Sequence, residues 1–233
     1  MYDASRRPPR LRLAIAPGVP SPYLTLLLAR HRAEDPDVAL TLFEIADDVL
    51  LEGLREGRYD AGVSLQGFGD SALKTQPLWA ENIAVAMPPR FHLLGQAVLT
   101  IADLEDYPIY RWQAEACPRL EERLASLVGR GHDTIQQVAS FEMMALRVAA
   151  GYGIGLSARS RIERGREWGI DLRPLEGGPY EIVVYLQRLQ GDTNPAVERF
   201  EQKALEVART GIALQTLSWP GLSSPGCRLE CKA

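Results

Sequence analysis

At 233 residues the chain is long enough for one large domain or two small ones with sizeable cores. With 46% hydrophobic and 24% charged residues it has the composition of a soluble globular protein, and a net charge of -4 leaves no overall nucleic-acid footprint. No stretch approaches the ~20 apolar residues of a membrane span, and the basic N-terminus lacks the apolar segment and cleavage site of a secretory signal.

Strand and helix signals then alternate. Residues 1–10 carry the basic cluster Arg6, Arg7, Arg10, read as a proline-stiffened leader or a nucleic-acid arm. LRLAIA over 11–16 is a short buried strand, ending at Pro17-Gly18. A leucine-rich stripe predicts a helix over 23–32, and alternation predicts a strand over 38–45. Asp47 or Asp48 is placed to cap a helix over 49–56, and a glycine turn leads to a strand over 61–65. Two further strands are expected at 74–79 and 82–87, stopped by Pro88-Pro89. This first block reads β-α-β-α-β with a parallel core, since parallel neighbours need a crossover helix.

The second block repeats the theme: a helical turn over 101–104, a strand over 108–111, a helix over 118–129 and a strand over 134–139. Next comes the most informative run, from Ser140 to Ser157. Ser140 can cap a helix, Phe141, Met144, Ala145 and Val148 recur at helical spacing, and Gly151 or Gly153 can stop it with positive φ before a strand from Ile154. A charged helix over 160–168 and strands over 171–175 and 180–186 follow, then a helix over 195–209 with Pro195 at its first position. Connections between the two blocks are expected at 87–100 and 178–190, and 211–233 reads as a loosely held tail.

Catalytic and metal chemistry find little support. No G-x-S-x-G elbow, phosphate loop or dinucleotide fingerprint occurs, and His31, His92 and His132 are scattered. Cys117, Cys227 and Cys231 make no disulfide framework, and the Cys227–Cys231 pair lacks further ligands nearby in sequence. No enzyme activity, cofactor or metal is expected, and a reducing cytoplasm is the default compartment.

Four segments, in this order and at these spacings, carry a family resemblance: LRLAIAP over 11–17, LLEGLREGRYDAGV over 50–63, MPPRFHLL over 87–94 with LTIADL over 99–104, and VAAGYGIGL over 148–156. The chain resembles the effector-binding (substrate-binding) domain of LysR-type transcriptional regulators, from about Leu11 to Arg209. The resemblance implies an α/β fold of two Rossmann-like subdomains joined by two crossover strands, like the type-2 periplasmic binding proteins. Subdomain I would comprise 11–87 with 188–210, and subdomain II 88–187. It implies a small effector between them, and a homodimer in which the helix over 49–56 or 23–32 meets the helix over 118–129 of a partner. One departure is large: only ten residues precede the first strand, where the family has a winged helix-turn-helix and a linker helix. Direct operator binding by this chain is therefore not expected. It is either a piece of a longer protein or a stand-alone sensor.

In such a fold the ligand lies beyond the carboxyl ends of the strands. The expected pocket residues are Pro20, Ser21 and Pro22, then Leu65 and Gln66, with Gly67 beside them; and, from the second block, Arg111, Trp112 and Gln113 with Ser140, Phe141 and Glu142. Family members often use the position matched by Ser140 to hold a carboxylate or other polar group. Arg111 is either a bidentate carboxylate partner or a solvated rim charge. Trp112 either stacks on a flat ligand or cation or belongs to the core. Ser140 is first of all a helix cap, and Glu142 either pairs with Arg111 or selects an amine or hydroxyl. The reading is a regulatory sensor for a small molecule, a carboxylate by family habit. The alternatives are a transporter's solute-binding protein, against which the missing signal weighs, and a ligand-silent dimerisation module.

Overall fold

A computed structural model describes residues 9–67, 69–115, 117–128, 135–191 and 194–217, with backbone alone for Ser21, 126–128 and 211–217. Most of the expected leader, His132, Thr134 and the two C-terminal cysteines lie outside the described residues.

The first block begins with β1 (Arg10–Ile15), α1 (Ser21–Glu34), β2 (Ala39–Glu44), α2 (Asp47–Arg55) and β3 (Ala61–Ser64). β1 pairs in parallel with both β2 and β3, as the crossover helices require. In α2, Leu50 and Leu54 recur four apart and face the sheet, fully buried. Asp47 and Asp48 are not the cap. Ala46 occupies that position without a side-chain bond, and both aspartates sit in the first turn, where the positive end of the helix favours them.

β4 (Leu73–Met87) is one continuous strand of 15 residues where two were expected. Pro77 cannot donate to a ladder, and the register shifts between Pro77 and Trp79 instead of the strand ending. β4 pairs antiparallel with β9 (Glu181–Leu189) as far as Asn82, and from Ile83 or Ala84 onward with β7 (Ile154–Ala158) and β8 (Asp171–Pro174). The passage from one sheet region to the other therefore occurs inside β4, upstream of the 87–100 connection expected from sequence.

The second block holds β5 (Ile109–Trp112), α3 (Pro118–Val128), β6 (Ile135–Val138), α4 (Phe141–Ala149), β7, α5 (Arg159–Arg164) and β8. β5 pairs in parallel with β6 and β7. The sheet order is β2-β1-β3-β9-β4-β7-β5-β6 with β8 beside β4, so two parallel-cored halves are joined by the antiparallel β4–β9 pair. The long helix α6 (Pro195–Leu217) runs eight residues past its expected end, into the segment read as tail.

Two cores follow from this layout. The larger joins α1 and α6 to the sheet through Leu24, Leu27, Phe200 and Ala204, and continues through β4 and β9 to Leu120 and Leu124 of α3. The smaller sits under α4, where Phe141, Met144, Ala145 and Val148 meet Ala84, Tyr110, Ile162 and Leu172. Each large apolar side chain so buried contributes about 1.5–3 kcal/mol. Gly151 ends α4 with φ 81°, as the sequence allowed. Gly153 serves a different need, because a Cβ there would stand 2.2 Å from the Pro108 carbonyl oxygen. None of the described helices is long and apolar enough to cross a membrane.

Candidate functional site

The loops that leave β1 and β5 meet. Gly18, at φ 85°, approaches so closely that a Cβ would lie 2.7 Å from the Ala114 carbonyl oxygen. A glycine is required on both counts, steric and conformational. This contact brings the start of α1 to the strand ends of the second block.

Around it Arg161 organises the polar groups. It sits on α5, immediately after β7, and its guanidinium makes three hydrogen bonds and two ring contacts. Nε donates to Glu115 Oε1 at 2.8 Å, and Nη2 donates to the carbonyls of Gly18 at 3.0 Å and Val19 at 3.4 Å. Its face lies 4.7 Å from the Trp112 ring centroid and 5.7 Å from that of Phe141. Such stacking suits a planar, weakly hydrated cation. Glu115 is 3% exposed and also accepts from the Ala158 amide at 3.3 Å. Burial pushes its carboxyl pKa up, and the Arg161 guanidinium and these donors counter that shift. Glu81, from the crossover strand β4, accepts from the Ser160 amide at 2.5 Å; burial raises its carboxyl pKa as well.

Beside this network lies a cavity of about 150 Å³. Pro20 closes one side, and Phe141, Glu142, Ser160, Arg161, Arg164, Gly165 and Trp168 form the rest of the wall. The Phe141 and Trp168 rings stand 5.7 Å apart, centroid to centroid, so two flat apolar surfaces face a wall with two guanidinium groups and one carboxylate. A space of this size takes a ligand of about one benzene ring. A larger hollow of about 440 Å³, between Arg119 and Arg123 of α3 and the Gly177-Gly178 turn, touches no strand carboxyl end of the parallel cores.

Of the residues expected from sequence, Pro20, Phe141 and Glu142 come together in the cavity wall. The others are placed differently. Leu65 is buried, and Gln66 bonds Asp47 at 3.3 Å while its carbonyl accepts from Gln187 at 2.9 Å. Pro22 lies within the first turn of α1, and of Ser21 only the backbone is described. Arg111 is no solvated rim charge: it is 7% exposed and donates to the Glu115 carbonyl at 3.3 Å and to Glu121 at 3.2 Å. Trp112 stands one layer back, under Arg161, with its Nε1 donating to the Ala139 carbonyl at 2.9 Å. Gln113 is exposed, its amide held by the Val138 carbonyl. Ser140 is the α4 cap, accepting from the Met143 amide at 3.1 Å. Glu142 is exposed and forms no ion pair with Arg111.

Sequence reasoning missed Arg161, Arg164, Trp168, Glu115 and Glu81. The first three lie in a run read as a short charged helix, and both carboxylates in connections, Glu81 between the strands expected over 74–79 and 82–87 and Glu115 between the strand over 108–111 and the helix over 118–129. The available signal was positional: Ser160 and Arg161 follow the carboxyl end of β7, as Pro20 follows β1.

No curated protein shows a significant match to the chain. Among solved structures, the BenM effector-binding domain with its effector benzoate has 20% identity and a TM-score of 0.72, over 91% of this chain and 96% of that one. The reduced form of OxyR from N. meningitidis has 22% identity and a TM-score of 0.71, over 85% and 95%. The effector-binding domain of QuiR in complex with shikimate has 16% identity and a TM-score of 0.70, over 86% and 97%. These likenesses carry the bilobal fold of the type-2 periplasmic binding proteins. A family model, the LysR substrate binding domain, matches residues 4–209, and the chain therefore belongs to that family of transcriptional-regulator domains.

Proposed function

We propose that this chain is the effector-sensing part of a cytoplasmic LysR-type regulator, and that its effector is a small anion bearing one ring. The observation that carries the reading is the cavity wall, where Phe141 and Trp168 supply apolar faces beside the guanidinium groups of Arg161 and Arg164. A carboxylate fits that combination through charge-assisted bonds to a guanidinium, with its ring packed against the Phe141–Trp168 pair. Benzoate on BenM and shikimate on QuiR are ring carboxylates of this kind.

The halves on either side are subdomain I, 11–87 with 188–210, and subdomain II, 88–187, with the crossover strands β4 and β9 pairing into both sheet regions. Occupancy of the cavity biases how they close, and a homodimer pairing α1 or α2 with α3 of its partner relays that change to a DNA-reading element. The exposed Leu26 of α1, Leu42 of β2 and Val49 of α2 support an interface on that side.

A thermal-shift screen of small carboxylates against the purified chain tests this. A ligand at ~100 times its dissociation constant adds about 2.7 kcal/mol, which raises the melting temperature of a chain this size by roughly 5–10 °C. The Arg161 donors already satisfied by Glu115, Gly18 and Val19 favour a second reading, a ligand-silent dimerisation module. Silence across the screen, with a dimer in solution, would establish that second reading.

A further inference from the structure

Arg161 stands on α5, among the second-block elements, yet two of its acceptors are the carbonyls of Gly18 and Val19 in the loop after β1. At Gly18 there is no side chain to answer, since that residue must be glycine to approach Ala114 at all. The guanidinium therefore reaches across and holds backbone. Its own position is fixed by Glu115, which lies in the loop after β5 and is almost wholly buried. Glu115 in turn accepts from the Ala158 amide at the end of β7, so one carboxylate ties the base of α5 to the β5 loop. The Trp112 and Phe141 rings both lie against the guanidinium, 4.7 and 5.7 Å from it.

We propose that Arg161 is a clasp between the two halves of the molecule, with Glu115 as the residue that positions it. The inference deepens the effector-sensing reading, because Arg161 also lines the cavity, so one side chain belongs both to the ligand wall and to the contact between halves. Among the described residues Nη1 has no hydrogen-bond partner, while both carbonyl bonds rest on Nη2. Lysine carries the same charge but has neither the fork nor the flat face, and cannot satisfy Glu115 and the two carbonyls together.

Hydrogen–deuterium exchange on the full chain, free of ligand, tests the clasp. Wild type is compared with Arg161→Lys and Glu115→Gln. The expected result is exchange faster by about tenfold or more in two peptides on opposite sides of the gap, 14–26 (which holds the Ala16 amide bonded to Val63 and the first turns of α1) and 155–164, with β3 unchanged. A side chain that only pins α5 in place would loosen 155–164 alone, and that pattern overturns the proposal. Unchanged exchange at 14–26 in both variants overturns it as well. If Arg161→Lys loses protection throughout, Glu115→Gln decides, since it keeps the size and one acceptor. Loosening at 14–26 with no anion response anywhere in a carboxylate screen would sink the effector reading and leave the clasp standing. An anion response with 14–26 unmoved in the variants would do the reverse.

Discussion

Gly18 brings the loop after β1 close against the Ala114 carbonyl in the loop after β5, and replacing it measures that contact. Alanine at φ 85° carries a left-handed strain of ~1–2 kcal/mol, and its Cβ would stand 2.7 Å from the Ala114 carbonyl oxygen, an overlap that adds ~1–3 kcal/mol if the loops must part. Gly57, between α2 and β3, is the matched control: its φ is 67° and nothing lies within 4 Å of a Cβ there. Gly57→Ala should therefore cost ~1–2 kcal/mol by strain alone, and Gly18→Ala roughly 2–5 kcal/mol. Urea unfolding followed by tryptophan fluorescence reads both values, with equal slopes showing that the unfolded states match. The difference also appears as a melting temperature lower by roughly 2–12 °C for Gly18→Ala. Costs equal within ~0.5 kcal/mol would refute the close approach and with it the juxtaposition of the β1 and β5 loops on which the site depends.

Three other outcomes are expected. Arg111→Ala should lower stability by about 1–3 kcal/mol, because it leaves the Glu115 carbonyl in a buried setting without that donor; denaturant unfolding checks this, and no loss would return Arg111 to the rim. His31 is 2% exposed between α1 and α6, against Phe200, and its pKa is lowered by burial, with Lys203 and Arg199 adding to the effect and Asp35 opposing it. Folded His31 resists the proton that the unfolded chain accepts, so stability should be full above about pH 6.5 and decline as pH falls from there towards the lowered folded value. His31→Gln should flatten that decline, and an identical pH profile in the variant would contradict the assignment. The chain itself, at net charge -4, should not retard duplex DNA in a gel at physiological salt; a specific, salt-sensitive shift would overturn this.

The parts of the fold that the sequence made legible are those with a local cause. Ser140 caps α4 and Gly151 ends it because a hydroxyl, an apolar stripe and a positive φ are all decided within ten residues. The parallel pairing of β1 with β2 and β3 follows from strand-helix-strand order. Non-local decisions were hidden. β4 continues through Pro77 because β9 offers a partner on the far side of the bulge, and residue pairs such as Thr75 and Gln187 are far apart in sequence. α1 starts earlier than its leucine stripe, at Ser21, because Pro22 suits the first turn. In the site, Pro20, Phe141 and Glu142 were reachable from strand ends alone. Arg161 and Glu115 were not, since charged residues 46 positions apart carry no periodicity that marks them as a buried pair. Arg111 stands at the carboxyl end of β5, where a ligand partner was expected, and it pairs with Glu121 of α3.

The most direct test of the central claim is a calorimetric titration of benzoate into the wild-type chain, Phe141→Ala and Arg164→Ala. The account predicts saturable one-site binding to the wild type that weakens at least about tenfold in each variant, as loss of a ring contact or a charge-assisted bond requires. Equal affinity in all three chains would place benzoate outside the cavity, and no saturable heat with any small ring carboxylate would contradict the effector-sensing role itself.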